Sequence, residues 1–349
     1  MSTEELLEQS PLRFSSDTKR GYSRRVNEKS ITYFNTNEEK ITDEAVIDRI
    51  NKLAIPPAWK KVWICPHKNG YLQATGLDSR NRKQYRYHPL WNELSKQKKF
   101  THMVHFAETL PKIRRKVRKS LNHKKLTREK VLATVVWLLE NTLIRVGNAE
   151  YEAENNSFGL TTLKNRHVSI RKEEIRFAFK GKSGVYHKLQ IRSKKVAKIV
   201  KQCQDLPGQE LFEYRDRAGK MQNISSHDVN GYLKEISGEE ITAKDFRTWA
   251  GTMLAAKMLS KEKMGELQPT KKTIVQTIKK VSQHLRNLPS TCKKYYIHPA
   301  VFHAYSQGYT LTNLSTHKKF KKLKRLRHLN ESENGIIGML SLFELSAQI

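Results

Sequence analysis

Five residues of this chain could together break a phosphodiester. Arg145 lies in Ile144-Arg-Val-Gly-Asn148, Lys182 in Lys180-Gly-Lys-Ser-Gly184 and Arg247 in Lys244-Asp-Phe-Arg-Thr-Trp249. Asn287 opens the run Asn287-Leu-Pro-Ser-Thr-Cys-Lys-Lys-Tyr-Tyr296-Ile-His-Pro299. A guanidinium is planar, stays charged, and can hold two phosphate oxygens at once. A lysine can protonate a leaving oxygen. An amide N–H donates to a non-bridging oxygen without adding charge. A tyrosine phenol can attack phosphorus and hold the product as a covalent ester. Together these are the parts for covalent phosphodiester cleavage with cations, not a metal, facing the developing charge.

Other chemistries find less support. Glu150, Glu152 and Glu154 are the densest acidic alternation and read as an exposed loop, and no D-x-D occurs. A metal site needs carboxylates converging on one ion, so no metal is expected as cofactor. Gly181-Lys-Ser183 resembles the end of a phosphate-binding P-loop, but position 176 is Arg where glycine is required, and no helix pattern follows. Cys65, Cys203 and Cys292 are far apart, without a C-x-x-C pair, which fits reduced thiols and no zinc.

The bulk composition points to a polyanionic partner. Lys plus Arg number 66 against 34 Asp plus Glu, a net charge of +32 over 349 residues. Duplex DNA carries one negative charge per ~1.7 Å of axis and releases counterions on binding. Lys112 to Lys130 holds ten basic residues and one acid, and Lys318 to Arg327 holds seven and none. Charge alone also fits a protein that only binds. No apolar run approaches the ~18 residues of a membrane span, and the N-terminus lacks a signal-peptide core. A cytoplasmic, nucleoid-associated protein is expected, or a virion or viral-factory protein if the source is a virus.

The elements that must position these residues follow from pattern. Residues 1–92 read as a small α+β unit whose first thirty residues are a loose, basic lead-in. Thr42 caps a helix over Asp43 to Leu53, with Ala45, Val46, Ile50 and Leu53 on one face, and Pro56-Pro57 ends it. Strands follow at Val62–Cys65, Tyr71–Thr75 and Gln84–Tyr87. From Pro89 the pattern turns helical. Thr127 caps a helix running to about Val146, with Gly147 as its stop, which puts Arg145 in the last turn. Strands are expected at Leu160–Leu163, Val168–Ile170, Ile175–Phe179 and Tyr186–Ile191, with Lys182 in the turn of the last hairpin. Thr242, with Asp245 three residues on, caps the Arg247 helix. Phe246, Trp249, Ala250, Met253 and Leu254 form its buried side, with Arg247 near the edge. The remainder reads as helical, giving a second unit over residues 93–349.

In type and spacing the five residues resemble the bacterial, poxvirus-like type IB DNA topoisomerases. Arg145 precedes Lys182 by 37 positions and Asn287 precedes Tyr296 by nine, as in that family. Ile55-Pro-Pro-Ala-Trp59, Val62-Trp-Ile-Cys-Pro66, Leu72-Gln-Ala-Thr-Gly76, Arg82-Lys-Gln-Tyr-Arg-Tyr87 and Asn156-Ser-Phe-Gly-Leu-Thr-Thr-Leu-Lys164 are similar too. The likeness runs from about Leu53 to about Leu342. It implies an α+β architecture: a β-rich N-terminal lobe that clamps duplex DNA, and a larger, mainly α-helical catalytic lobe like that of tyrosine recombinases, with a short three-stranded sheet. It makes Tyr296 the nucleophile, rather than Tyr295, because the family's tyrosine directly precedes Ile-His-Pro. Asn287 departs from the poxvirus pattern, which has histidine there, and follows the bacterial one. The resemblance implies DNA contacts for Gln84, Tyr85, Tyr87 and Tyr151, and Lys244 is a further candidate. It implies relaxation of supercoils through a 3′-phosphotyrosyl link, without ATP or metal, by a monomer. The alternatives are a tyrosine recombinase, which typically has histidine where this chain has Lys244, and a DNA-binding protein without activity.

Overall fold

The polar N-terminal stretch is ordered into elements. In a computed structural model, which describes residues 3–27, 30–261, 270–323 and 325–343, helix α1 spans Thr3–Glu8 and strand β1 spans Tyr22–Asn27. The expectation of a loose lead-in is therefore corrected. β1 is low in apolar side chains and shows no clean alternation. What holds it is main-chain pairing with β2 (Ser30–Phe34) and β3 (Lys60–Ile64), together with Arg24. The Arg24 guanidinium donates to the carbonyls of Ile55 (3.1 Å), Pro56 (2.9 Å) and Trp59 (2.9 Å). The Pro-Pro loop, whose carbonyls no helix or strand satisfies, is thus clasped by one side chain.

The chain divides into two units, Met1–Phe100 and Thr101–Ile349. In the first, α2 (Glu44–Lys52) is capped by Asp43, whose carboxylate accepts from Ala45 N–H at 2.9 Å, and not by Thr42. With β4 (Leu72–Leu77) and β5 (Lys83–Tyr87) the strands form one antiparallel sheet, ordered β2-β1-β3-β4-β5. Ile50 of α2 closes its core over Tyr33, Val62, Ile64 and Ala74. Tyr85 and Tyr87 share a face of β5 and stack with ring centroids 6.0 Å apart.

α3 (Pro89–Ser120) carries the chain into the second unit, where Phe106, Leu110, Ile113 and Val117 recur at helical spacing and are buried. α4 (Arg128–Thr142) buries Val131, Leu132, Val135, Val136, Leu138 and Leu139. α5 (Ala149–Asn155) follows, and Glu150, Glu152 and Glu154 lie on it, not on a loop. β6 (Val168–Arg171), β7 (Glu174–Lys180) and β8 (Tyr186–Arg192) form an antiparallel sheet in sequence order. After α6 (Lys194–Gln204), β9 (Glu213–Arg215) and β10 (Met221–Asn223) make a hairpin. α7 (Ser226–Ser237) and α8 (Ala243–Lys261) come next, and Phe246 of α8 packs edge-on to Phe106 at 5.0 Å. α4 packs against α6, α7 and α8. α9 (Lys271–Leu285), α10 (Pro289–Tyr295), α11 (Pro299–Ser306) and α12 (Glu331–Phe343) complete the unit. Among the described residues, no helix is long and apolar enough to cross a membrane.

Candidate active site

Arg145 does not sit in a helical turn, as the sequence suggested. α4 stops at Thr142 because Leu143 takes a left-handed conformation, φ 57°, with its N–H on the Leu139 carbonyl. Arg145 belongs to the loop beyond. The segment expected as a strand at Leu160–Leu163 is a short 3-10 turn over Leu160–Thr162, and it secures that loop. Leu160 N–H donates to the Arg145 carbonyl (2.9 Å), Thr161 N–H to Val146 (2.7 Å) and Phe158 N–H to Lys180 (2.8 Å). One strap therefore ties the Arg145 loop to the strand end that leads into Lys182. Glycine is required here. A Cβ on Gly159 would lie 2.5 Å from the Gly147 backbone, and Gly147 itself has φ 104°.

Arg247 is buried in α8, only 5% exposed, rather than at the edge of its face. Its terminal nitrogens donate to the carbonyls of Leu143 and Leu285, the latter at 2.7 Å, at the ends of α4 and α9. Helix C-terminal carbonyls carry partial negative charge and suit a cation. Burial, then neighbouring Arg145, lowers the Arg247 pKa to about 10, while Tyr296 acts in the opposite direction. The group therefore stays charged at neutral pH. Its Nε is buried without a partner. The guanidinium carbon stands 5.5 Å from the centroid of the Tyr296 ring.

Tyr296 ends α10, with its N–H on the Cys292 carbonyl at 2.9 Å. Buried Ile297 and the His298 cap of α11 fix the chain just after it. α8 crosses the Tyr296 backbone at Gly251, where a Cβ would come within 2.4 Å of the Tyr296 carbonyl oxygen. The next residue, Thr252, accepts from His298 N–H at 3.0 Å and donates to the Tyr296 carbonyl at 3.4 Å. Helix α8 thus carries Arg247 and also sets the height of Tyr296. Arg145 donates to Asn287 Oδ1 at 2.5 Å and to the Arg286 carbonyl at 3.1 Å. That bond orients the Asn287 amide and leaves Nδ2 buried with no partner. Burial lowers the Arg145 pKa below its ordinary value, opposed by Tyr296 and Tyr151.

Arg145, Lys182, Asn287 and Tyr296 line one open cavity of about 830 Å³, with Arg286 and the α9 residues Lys279, Ser282 and Gln283. Arg247 lies against the Tyr296 ring and is not among the lining residues. Lys182 is exposed in the β7–β8 turn, its Nζ 5.8 Å from the centroid of the Tyr151 ring. Lys244 is exposed on the first turn of α8. Gln84, Tyr85 and Tyr87 lie in the first unit, where Gln84 Nε2 donates to Asp78 at 3.0 Å and both tyrosines are exposed. Tyr295 is exposed, with the Lys294 ammonium 5.2 Å above its ring.

Sequence reasoning missed Gly251, Arg286 and His187. Arg286 bonds the carbonyls of Tyr186 and Lys188, both at 3.3 Å, and so joins α9 to the Lys182 hairpin. His187 was detectable: β8 alternates, and its odd-numbered residues are the less exposed ones.

A family model described as the eukaryotic DNA topoisomerase I catalytic core matches residues 84–329. One described as the bacterial DNA topoisomerase IB N-terminal domain matches residues 30–78. The DNA topoisomerase 1B of Acanthamoeba polyphaga mimivirus is 32% identical over 284 residues, covering 79% of this chain and 84% of that one. The DNA topoisomerase 1B of Vaccinia virus (strain Copenhagen) is 28% identical over 227 residues, 64% of this chain and 68% of its own length. DNA topoisomerase 1 of Mycosarcoma maydis is 27% identical over 173 residues, 44% of this chain and 17% of that protein. With one family model covering most of the chain and a relative aligned over most of both lengths, this chain belongs to the type IB DNA topoisomerases.

Proposed function

We propose that this protein relaxes supercoiled duplex DNA by cutting and resealing one strand, with Tyr296 as the nucleophile. The observation that carries the reading is the convergence of Arg145, Lys182, Asn287 and Tyr296 on one cavity, with Arg247 against the Tyr296 ring. The phenol oxygen of Tyr296 attacks phosphorus, and the bond to the 5′ oxygen breaks. The phenol proton passes to water, since no carboxylate or imidazole is among the described lining residues. Arg145 and Arg247 hold the non-bridging oxygens, and the partnerless Asn287 Nδ2 donates to one of them. Lys182 gives a proton to the leaving 5′ oxygen. The product is a 3′-phosphotyrosyl ester and a free 5′-hydroxyl. The free end rotates, the hydroxyl attacks the ester, and each step runs in reverse. The ester conserves the energy of the broken bond, so no nucleotide is consumed. Gln84, Tyr85, Tyr87, Tyr151 and Lys244 contact the duplex in this reading.

Incubating supercoiled plasmid with the protein in EDTA, without ATP, tests it. Relaxation of both positive and negative supercoils is expected. Activity that appears only when magnesium is restored would overturn the mechanism.

A further inference from the structure

His187 has no part in the cleavage steps, yet it lies directly beneath the turn that carries Lys182. The β7–β8 hairpin pairs Phe179 with His187 and Lys180 with Tyr186, so His187 is the first inward residue after the turn. Its imidazole stacks on Phe179, with centroids 4.6 Å apart and planes within 17°. The ring reaches under Gly181, where a Cβ would lie 2.5 Å from His187 Nε2. Gly181 is the residue before Lys182, and the turn doubles back there through Ser183 at φ 63° and Gly184 at φ 77°. A larger residue at 181 would move the turn.

The ring is 5% exposed and its Nε2 has no hydrogen-bond partner. Burial, then the guanidiniums of Arg286, Arg145 and Arg247, lowers its pKa to about 3, so the imidazole is neutral at working pH. A buried nitrogen without a partner is rare and costly. Gly181, where a Cβ would lie 2.5 Å from this nitrogen, belongs to the turn.

We propose that His187 is a positioning residue for Lys182: its ring is the floor of the turn, and its Nε2 bonds the turn when Lys182 is set over the 5′ oxygen. This rests on the reading of Lys182 as the proton donor. The phosphate-holding groups, Arg145, Arg247 and Asn287, are fixed by other contacts and do not depend on His187 for their geometry.

The test uses single-turnover cleavage of two duplex substrates by the full chain. One has the natural 5′-bridging oxygen, and the other has sulfur at that atom, which leaves as a thiolate without a proton. His187→Phe keeps the stack on Phe179 and removes the nitrogens, while His187→Gln restores a polar group near Nε2. His187→Phe is expected to cleave the oxygen substrate at least about tenfold more slowly than the native protein, with unchanged DNA affinity. It should match native speed on the sulfur substrate, and His187→Gln, which returns a polar atom but not the ring, should recover part of the loss on oxygen. Equal slowing on both substrates, or native speed on oxygen, would overturn the proposal. Lys182→Ala serves as the reference. If sulfur restores Lys182→Ala but not His187→Phe, only the role of His187 fails. If sulfur does not restore Lys182→Ala, the proton-donor reading fails and takes this one with it.

Discussion

In the proposed reaction one phenolic oxygen, at position 296, separates a nucleophile from a ring that merely packs. Tyr296→Phe should bind DNA with native affinity and relax nothing, as read from gel shift and plasmid relaxation. Its neighbour Tyr295 is exposed and is not among the residues that line the Tyr296 cavity. Tyr295→Phe loses at most a hydrogen bond worth about 0.5–1.5 kcal/mol and should keep most of its activity. Asn287 has one amide end committed to Arg145 and the other unpartnered. Removing one donor to developing oxyanion charge costs about 10²–10³ in rate, so Asn287→Ala should slow single-turnover cleavage by that order. A loss below about threefold would mean that its amide does not reach the phosphate in the transition state.

The elements matter because helix α8 sets two of these groups at once. Arg247 projects from it, and Gly251 lets it approach the Tyr296 carbonyl. Gly251→Ala would push the Tyr296 backbone away. A displacement of ~1 Å can cost about 10²-fold, so cleavage should fall at least tenfold with DNA affinity intact. Native cleavage rates would show that the Tyr296 segment yields freely. The order and spacing of the five residues were legible because they lie in short local motifs. The Lys182 turn was legible too, as its flanking strands alternate. The burial of Arg247 was not, because its partners are carbonyls at Leu143 and Leu285, remote in sequence from residue 247. Nor was β1, whose pairing is main-chain and whose Arg24 hydrogen bonds leave no periodic trace. The strap at Leu160–Thr162 has the apolar composition of a strand but turns back to bond the Arg145 loop, which composition does not encode.

Across the whole molecule, a net charge of +32 favours a polyanion, but not every basic residue is available to one. Within Lys112 to Lys130, Arg114 pairs with Glu140 and Glu333, each at 2.7 Å, and Lys112 donates to the Ser237 carbonyl at 2.7 Å. Lys130 is buried, and Arg128 pairs with Asp228 at 2.6 Å. Arg115, Lys116, Arg118 and Lys119 are exposed. Reversing those four charges should weaken DNA binding and flatten its salt dependence, by a slope of about 0.9 for each phosphate no longer neutralised. Arg114→Glu should instead lower the melting temperature. An unchanged slope in the fourfold variant would assign that surface to solvent. Stability should also depend on pH through His298, whose pKa burial lowers from 6.5 to about 4 while its Nδ1 accepts from Ala300 N–H. The unfolded chain takes up that proton near its ordinary value and the folded chain resists until about pH 4. The stabilisation is therefore complete above the ordinary value and lost as pH falls through that window. His298→Asn keeps a cap and removes the titration, so its urea midpoint should decline less between pH 7 and pH 5. The most direct test of the central claim is the identity of the covalent adduct. Denaturing a cleavage reaction, digesting it and sequencing the nucleotide-bearing peptide should place a 3′-phosphate ester on Tyr296. A 5′-linked adduct, or one on Tyr295, would contradict the account.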